Sequence, residues 1–394
     1  MVDGESLSPA SLAIGRAEVV GRLERTRRVA AAGGYDALLV LGRSFYERPG
    51  DLAYLTNHFP PFPTAPFLPG RRGAGHAALL LPVDGAPLLV VDHPSVHRPL
   101  VAVDDIRPTP DVIGGVIEAL RGLPRLRRLG VVGSDLLPWS AANDLATALP
   151  ELALVAADDL VRRQRAIKSA AEIALLQRAA VVAELGLRAA VAAIRPGAGE
   201  REVCAAGTHA CLLAGADFVR YFRVHSGQYS AWGSRWPQAT DRRIVEGDII
   251  ALDAIGAVAG YAFDVNRTAV CGRPAAETRR LLEAGLAASA AAVAAVAAGV
   301  PVASVVAAGR QSIERSGFGA YASASTGHGI GLETVEAPLL AAGSSESLEE
   351  GMVLCVEPGI FQPGLGGCST EQIVVVTATG ASVLTTLTGR LWAQ

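Results

Sequence analysis

The chain has 394 residues and a formal net charge of −3, so it offers no basic field for nucleic acid or anionic lipid. A hydrophobic fraction of 50% with 19% charged residues is typical of a globular protein and argues against a disordered one. This length exceeds what one hydrophobic core usually organises, so two domains are expected.

The start of the chain carries no recognisable targeting signal. The segment MVDGESLSPASLAIGRAEVV has early acidic residues and lacks the apolar run of a signal peptide. The Ala-rich stretch 284–309 is interrupted by Gly299 and Pro301, which favours two core helices over a membrane span. The five cysteines are odd in number and lack paired CxxC spacing, as reduced thiols do. We therefore expect a cytoplasmic protein with no membrane partner.

The first half of the chain alternates helical stretches with short apolar runs. These runs are YDALLVLG, HAALLLPV, APLLVVD and RLGVVGSD, each bounded by turn residues. Runs of this length indicate buried strands, and their alternation with helices predicts an α/β domain. The arginine cluster in LVRRQRAIK then precedes a long helix from Ser169 to Pro196. We place the domain boundary there, giving domains at residues 1–160 and 161–394.

The second half repeats one order of elements. A long helix, a second helix at about 200–214 and then strands are echoed by a helix at 276–298, a second helix to Ser316 and then strands. The echo concerns the order of elements and not residue identity. It predicts an α+β domain with an approximate two-fold and a site where its halves meet.

Two aspartates lie in neighbouring apolar segments. Asp253 is in DIIALDAIGAV and Asp264 is in GYAFDVNRTAV, so their midpoint falls between residues 258 and 259. A tight turn at that point would place the two carboxylates directly opposite each other, with Cβ atoms about 5 Å apart. Two charges at that distance need a cation between them.

Two glutamates follow the same pattern nearer the C-terminus. Glu357 in MVLCVEPGIF and Glu371 in STEQIVVVT are centred on Gly364, within the turn-prone PGLGG. Burying these four carboxylates is costly without counter-charge, and the nearby arginine is Arg267. His328 in STGHGIGLE adds an imidazole. Carboxylates with one imidazole suit manganese, iron, cobalt or zinc, so the sequence predicts a divalent metal centre.

Several segments resemble a known family. GDIIALDAIGAVAGYAFDVNRT, GHGIGLETVEAP, LEEGMVLCVEPGIF and TEQIVVVT are similar to the signature blocks of the M24 metallopeptidases, which include aminopeptidase P, prolidase, methionine aminopeptidase and creatinase. YLTNHFP and RAIKSAAEI are similar to the creatinase-type N-terminal domain and the interdomain helix. The resemblance implies a creatinase-like N-terminal domain followed by a pita-bread catalytic domain. It also implies two divalent metal ions, for which we expect manganese.

The resemblance implies roles for the metal-binding residues. Asp264 and Glu371 would bridge the two metals, Asp253 would serve one of them, and His328 with Glu357 would serve the other. A bridging water would act as the nucleophile, and Glu357 would take its proton.

The resemblance also implies a homodimer. Relatives with this N-terminal domain commonly associate, and a neighbour's loop caps the site. The loop NHFPPFPTAPF, with several prolines, is a stiff segment suited to capping the neighbour's site. Its His58 would then contact the substrate.

The positions that handle substrate depart from the peptidase pattern. Ser234 stands where the family has a histidine seven residues after the glycine of its SG motif, and Val335 replaces a second histidine. Ser369 replaces an arginine and Tyr229 an asparagine. Intact metal ligands with altered substrate groups indicate a retained reaction centre and a changed substrate.

One segment, YFRVHSGQYSAWGSRWPQ, concentrates residues that could form the replacement pocket. His225 is the candidate catalytic group, and ordinary packing is the alternative role for the segment. Arg235 and the tryptophans of this segment could hold a carboxylate or a cation, by bidentate hydrogen bonds or cation–π contacts. The candidate substrate-binding residues are Arg223, Tyr229, Trp232, Arg235, Val335 and His58.

These observations predict a hydrolase that cleaves a C–N bond in a small amino-acid-like or short-peptide substrate. An ordinary Xaa-Pro aminopeptidase or prolidase is the first alternative. A metal-dependent lyase of the same fold is the second, and a non-catalytic binding module is the third. Retention of five costly buried ligands argues against the binding module.

Overall fold

The computed structural model describes residues 14–63, 67–123, 125–232 and 236–392. Ser234, Arg235 and residues 64–66 of the NHFPPFPTAPF loop lie outside this part of the chain. The chain divides into two compact units, Met1–Arg165 and Ala166–Gln394. None of the described helices has the length and apolar character needed to cross a membrane.

The N-terminal unit is an α/β layer structure around one sheet in the order β4-β3-β2-β1-β5-β6. The four predicted apolar runs form β1, β2, β3 and β5. The strands are β1 Ala37–Gly42, β2 Ala77–Pro82, β3 Leu88–Val91, β4 Asp105–Pro108, β5 Arg128–Val132 and β6 Ala153–Ala156. The helices are α1 Arg16–Ala32, α2 Gly50–Thr56, α3 Val112–Arg121, α4 Trp139–Ala148 and α5 Asp159–Ala166. The sheet is mixed, because β2 pairs antiparallel with both β1 and β3.

The C-terminal unit has two pairs of helices, as the repeated order of elements predicts. They are α6 Ala170–Ala193, α7 Glu200–Leu213, α8 Ala276–Ala294 and α9 Val302–Arg315. Ser169 begins α6 with a capping box, in which its hydroxyl accepts the amide of Glu172 while the Glu172 carboxylate accepts the amide of Ser169. The predicted helix at 276–298 ends early, at Ala294, and the chain then turns through Gly299 with φ of +81°.

Each helix pair precedes strands that carry the predicted ligands. One sheet has the order β17-β9-β8-β7, and the other has the order β11-β10-β12-β15-β16. The strands of the first are β7 Phe218–Ser226, β8 Ile249–Val258, β9 Tyr261–Val270 and β17 Leu391–Trp392. Those of the second are β10 Ser325–Gly329, β11 Glu336–Ala341, β12 Val353–Val356, β15 Gln372–Thr377 and β16 Gly380–Val383. A separate hairpin joins β13 Gly359–Gln362 to β14 Gly366–Ser369.

The register of β8 and β9 corrects the predicted aspartate pair. Ala259 and Gly260 form a two-residue turn with φ of 51° and 79°, which shifts the centre of the hairpin one residue towards the C-terminus. Asp253 therefore lies opposite Asn266, and Asp264 lies opposite Ile255. The two aspartates are diagonal neighbours on one face of the sheet, and not the directly opposed pair that the sequence predicted.

The glutamate register agrees with the prediction. Gly364 has φ of +85° and sits at the centre of the β13–β14 hairpin. The cross-strand residue pairs that flank Glu357 and Glu371, including Val356↔Gln372, are also centred on Gly364. Glu357 and Glu371 consequently face each other where β12 passes into β13 and β14 into β15.

Candidate metal centre

Four of the five predicted ligands, all except Glu357, belong to two overlapping groups of candidate ligand atoms. Asp253, Asp264 and Glu371 offer one oxygen each, and these atoms lie within 4.8 Å of one another. His328, Cys355 and Glu371 form a second group within the same distance. Glu371 belongs to both groups, which places it between two clusters of ligand atoms.

His328 presents one ring nitrogen to the carboxylates. Its Nδ1 lies 3.0 Å from the carbonyl oxygen of Gly329, which can only accept, so the proton of the neutral ring resides on Nδ1. Its Nε2 lies 3.4 Å from Glu357 Oε1 and 3.6 Å from Asp264 Oδ2. Burial lowers the pKa of His328, but the hydrogen bond and charge of Glu357 outweigh burial and raise the pKa above its ordinary value. The ring is oriented as a ligand.

The buried carboxylates repel one another. Burial raises the pKa of Asp253 to about 6 although the charge of Arg223 opposes the rise. Burial and the charge of Glu371 hold the pKa of Asp264 well above its usual range, and burial with the charge of Glu357 does the same for Glu371. A divalent cation at this point would favour the charged carboxylates and so oppose the effects of both burial and mutual repulsion.

Within the described ranges, several buried oxygen atoms of these residues lack the hydrogen-bond partner that a bound metal ion would replace. Asp253 Oδ1, Glu371 Oε1 and Asn266 Oδ1 are buried and have no hydrogen-bond partner in the described part of the chain. A buried oxygen without a partner costs about 1 to 3 kcal/mol. Because these acceptors join an imidazole in one cluster, the residues fit oxygen-preferring divalent ions.

Asn266 is a component that the sequence reasoning missed. Its Nδ2 donates to Glu357 Oε2 at 3.0 Å, and its backbone N–H donates to Glu371 Oε2 at 2.8 Å. It therefore orients both glutamates while lying opposite Asp253 in the sheet. Its position two residues after Asp264, on the same face of β9, is the signal that could have identified it.

Arg267 does not act as the counter-charge that the sequence suggested. Its side chain is fully buried and donates to backbone carbonyls of Asn266, Glu371 and Leu387. Burial lowers its pKa, although the charge of Glu371 acts in the opposite direction. Arg267 thus supports the backbone behind the site.

Cys355 is a second residue that the sequence reasoning missed. It lies directly opposite His328 between β12 and β10, and its Sγ donates to the carbonyl of Asp264 at 3.8 Å. Burial and the charge of Glu371 raise its pKa well above the usual value, which keeps the thiol neutral. Its position two residues before Glu357 was the available signal.

A cavity of about 450 Å³ opens over the ligand cluster. Asp253, Asp264, His328 and Glu357 line it, whereas Glu371 is fully buried. Three of the predicted pocket residues also line the cavity, namely Arg223, His225 and Val335. Hydroxyl-bearing residues cover much of the remaining wall, namely Ser230, Thr268, Ser323, Ser325, Thr334 and Ser369.

The strand β7 supplies a basic and aromatic wall. Tyr221, Arg223 and His225 alternate along it, and all three line the cavity. Arg223 forms an ion pair with Asp253 at 2.9 Å and lies over the Tyr221 ring at 4.8 Å. The Nδ1 of His225 is 3.2 Å from the carbonyl of Trp232, which orients the ring.

Other predicted pocket residues lie away from the cavity lining. The indole of Trp232 is 58% exposed and packs edge-on against Tyr229, and neither residue is among those that line the cavity within the described ranges. His58 belongs to the N-terminal unit, where it is buried, and burial lowers its pKa to about 4. Arg235 lies outside the described residues.

Comparisons with known proteins agree with this architecture. The model of metallopeptidase family M24 matches residues 174–378, and that of the creatinase/prolidase N-terminal domain matches residues 22–167. An Xaa-Pro dipeptidase of Pyrococcus horikoshii is 31% identical over 68% of this chain and 76% of its own length. The probable dipeptidase PepE of Mycobacterium tuberculosis is 32% identical over 77% of this chain and 82% of its own.

A solved structure of a relative has the same fold. The Xaa-Pro dipeptidase of Bacillus anthracis superposes with a TM-score of 0.82 at 29% identity and covers 95% of this chain and 99% of its own. The family implies divalent metal ions, which the ligand cluster fits. The chain therefore belongs to metallopeptidase family M24, as a metal-dependent hydrolase with a creatinase-type N-terminal domain and a pita-bread catalytic domain.

Proposed function

We propose that this chain is a dinuclear-metal hydrolase that cleaves an amide or peptide-like C–N bond in a small amino-acid-like substrate. The observation that carries the proposal is a cluster of ligand residues beneath one cavity, with orphaned oxygens on Asp253 and Glu371. Asp253, Asp264, His328 and Glu371 belong to the overlapping groups, and Glu357 lies 3.4 Å from His328. Oxygen-rich ligands favour manganese, and we propose it as the metal.

The ligand set divides into two positions. Asp264 and Glu371 are proposed to serve both, Asp253 to complete one, and His328 with Glu357 to complete the other. The distances support this division, because His328 lies beside Glu357 and Asp264, while Asp253 lies with Asp264 and Glu371. When bound, the two ions would lower the pKa of a water molecule and polarise the scissile carbonyl.

Glu357 is proposed as the general base. Its side chain is 30% exposed and lines the cavity, and Asn266 Nδ2 holds its Oε2. An oriented carboxylate at this point can take a proton from the attacking water. His225 is proposed to return a proton to the leaving nitrogen, since its ring lines the same cavity. General acid help of this kind is typically worth about 10² to 10⁴ in rate.

The cavity wall supports a small polar substrate. Arg223 brings a guanidinium to the wall, and the hydroxyl-bearing residues around it can accept and donate hydrogen bonds. A volume of about 450 Å³ suits a dipeptide-sized molecule and not a protein chain. We therefore propose that Arg223 and Val335 contact the substrate directly, with Tyr229, Trp232 and Arg235 in the adjoining segment. The loop that carries His58 is proposed to cap the site of the other copy in a dimer.

Xaa-Pro dipeptidase is the second candidate function. It is favoured by the relatives, two of which are named Xaa-Pro dipeptidases. Val335 and Ser369 count against it, because they line the cavity in place of a histidine and an arginine. Valine can neither donate a proton nor stabilise an oxyanion.

Metal analysis and a substrate panel test the proposal. The manganese-reconstituted protein should retain two ions per chain and hydrolyse small amides or dipeptides. Glu357→Gln should abolish turnover, whereas Glu349→Gln, at an exposed position before β12, should not. Protein that retains no metal would overturn the dinuclear proposal, and brisk cleavage of Xaa-Pro dipeptides alone would establish the second candidate.

We also propose how this chain assembles and where it resides. We propose a homodimer, which light scattering would report as twice the 40.6 kDa chain mass. All five cysteines are free thiols, which supports a reducing cytoplasm. A single species of 40.6 kDa would contradict the proposed homodimer.

A further inference from the structure

A buried glutamate holds the strand end that carries His225. Glu200 is the first residue of α7 and is completely buried. Its Oε1 accepts the backbone N–H of Ser226 at 2.8 Å and the Ser226 hydroxyl at 2.7 Å. Ser226 is the last residue of β7 and directly follows His225. One carboxylate oxygen therefore fixes the peptide bond that joins His225 to Ser226.

The second oxygen of Glu200 ties another part of the chain to the same point. Oε2 accepts the backbone N–H of Thr240 at 2.9 Å and the Thr240 hydroxyl at 2.6 Å. Burial raises the pKa of Glu200, but the hydrogen bonds from Thr240 and Ser226 outweigh burial and lower the pKa below its ordinary value. Four donors thus meet an ionised carboxylate, and charge-assisted hydrogen bonds of this kind are strong. Glu200 consequently clamps Ser226 and Thr240 in one geometry.

Arg242 braces Ser226 from another direction. Its Nη1 donates to Ser226 Oγ at 2.6 Å, while its guanidinium pairs with Asp248 through Nη1 at 2.5 Å and Nη2 at 3.0 Å. The Ser226 hydroxyl has one proton, which it gives to Glu200 while it accepts from Arg242. The orientation of this hydroxyl is therefore fixed by both neighbours.

The residues after Ser226 connect the clamp to the cavity. Ser230 accepts the backbone N–H of Gly367 at 3.0 Å, which seats the segment on β14, and Ser230 lines the cavity. The carbonyl of Trp232 accepts from Nδ1 of His225 at 3.2 Å. The segment from Ser226 to Trp232 thus returns to the imidazole, and the direction of the ring depends on where Ser226 is held.

We propose that Glu200 is a positioning residue, which holds the His225 imidazole in the orientation needed to protonate the leaving nitrogen. This inference rests on the proposed function, in which His225 is the general acid. Because Nδ1 of the ring faces the Trp232 carbonyl, Nε2 is the nitrogen that delivers the proton. The proton passes to the leaving nitrogen as its C–N bond breaks, which leaves the imidazole neutral. Glu200 is not among the cavity-lining residues in the described part of the chain, so it acts through Ser226.

Replacing Glu200 with glutamine breaks the clamp while keeping its size. The amide retains one acceptor oxygen, and its NH₂ group then faces the backbone N–H of either Ser226 or Thr240. A buried donor without an acceptor is unfavourable, so the clamped chain has to shift. A small displacement of a general acid forfeits much of its contribution, which is typically about 10² to 10⁴ in rate.

The leaving group of the substrate separates positioning from general damage. An alkyl amide of an amino acid has a poor leaving nitrogen and needs the acid, whereas the p-nitroanilide of the same amino acid needs it much less. Glu200→Gln should lower kcat about 10- to 100-fold on the alkyl amide and less than about threefold on the nitroanilide, with unchanged metal content. Glu202→Gln, at an exposed position on the same helix, is the matched control and should leave both rates unchanged.

A second variant keeps the test decisive if Glu200→Gln does not fold. Ser226→Ala removes one hydrogen bond to Glu200 and retains the backbone bond at 2.8 Å. It should show the same selectivity for the alkyl amide with a smaller loss of kcat. Unchanged kcat in every folded variant of the two, or equal losses on both amides, would overturn the inference while the hydrolase stands.

A double-mutant cycle shows through which residue Glu200 acts. His225→Phe removes the acid, and adding Glu200→Gln to it should cost less than about twofold further on the alkyl amide, because the two changes remove one shared effect. Independent, multiplying losses would contradict the inference. Full activity of His225→Phe would overturn it together with the proposed general acid. Hydrolysis of no amide by the unmodified, metal-loaded protein would instead refute the proposed function.

Discussion

Replacing Asp264 with asparagine should change stability in opposite directions with and without metal. Asp264 has an oxygen within 4.8 Å of oxygens of both Asp253 and Glu371. At an effective dielectric constant of about 20, each such pair of charges repels by about 3 kcal/mol. Asp264 partly escapes this by protonation, since burial and the charge of Glu371 raise its pKa well above the usual value. Asparagine is nearly isosteric and carries no charge.

The metal-free Asp264→Asn variant should therefore be more stable than the unmodified protein, by about 1 to 3 kcal/mol at pH 7. For a unit of this size each kcal/mol moves Tm by roughly 2 to 4 °C. With manganese the order should reverse, because the amide is a poor ligand between two ions. A hundredfold loss of affinity would forfeit about 2.7 kcal/mol of metal-induced stabilisation.

Thermal and urea unfolding with chelator and with excess manganese measure both effects. Asp241→Asn is the matched control, because Asp241 is 86% exposed and pairs with Arg201 at the surface. It should shift Tm little in either condition. A metal-free Asp264→Asn variant that is less stable than the unmodified protein would refute the reasoning, since it would mean that the carboxylates do not repel one another.

Three further predictions follow from the same contacts. Asn266→Ala should lower kcat by about 10- to 100-fold with near-normal metal content, because it removes a hydrogen bond to Glu357 worth about 1.5 to 3 kcal/mol. Steady-state kinetics would check this, with Asn143→Ala at an exposed position as the control. Val335→His should raise cleavage of Xaa-Pro dipeptides in a coupled assay, and an unchanged rate would show that the lost histidine does not limit that reaction. Burial raises the folded-state pKa of Asp253 to about 6, so the folded metal-free protein binds more protons than the unfolded chain between about pH 7 and pH 4. The free energy of unfolding, measured by urea denaturation, should therefore rise as pH falls from about 7 towards about 4. Saturating metal should suppress this rise.

Local pattern was sufficient for much of the fold. The apolar runs of the first half correspond to β1, β2, β3 and β5, and Ser169 marks the start of α6. Each depends on residues close in sequence: a run of hydrophobic residues between turn residues, or a capping box within one helical turn. The hairpin centred on Gly364 was predictable for the same reason, since glycine there permits the positive φ that the turn requires.

The aspartate hairpin shows where local reasoning failed. The midpoint of Asp253 and Asp264 is one residue short of the true turn, because Ala259 and Gly260 adopt the two-residue geometry whose twist matches the strands. A shift of the turn by one residue moves each cross-strand partner by two positions. The aspartates stay on the same face but become diagonal, and Asn266 takes the place opposite Asp253.

The sequence by itself determined which side chains could bind metal, since their types and their resemblance to family blocks needed no coordinates. Tertiary structure decided what surrounds them. Arg223 reaches Asp253 because β7 pairs with β8, and Cys355 reaches His328 because β12 pairs with β10. Such contacts join residues far apart in the chain through strand register, and burial sets the charge each carboxylate bears. No local periodicity encodes either, because the contacts arise only when distant strands pair and the burial arises only when the sheets pack.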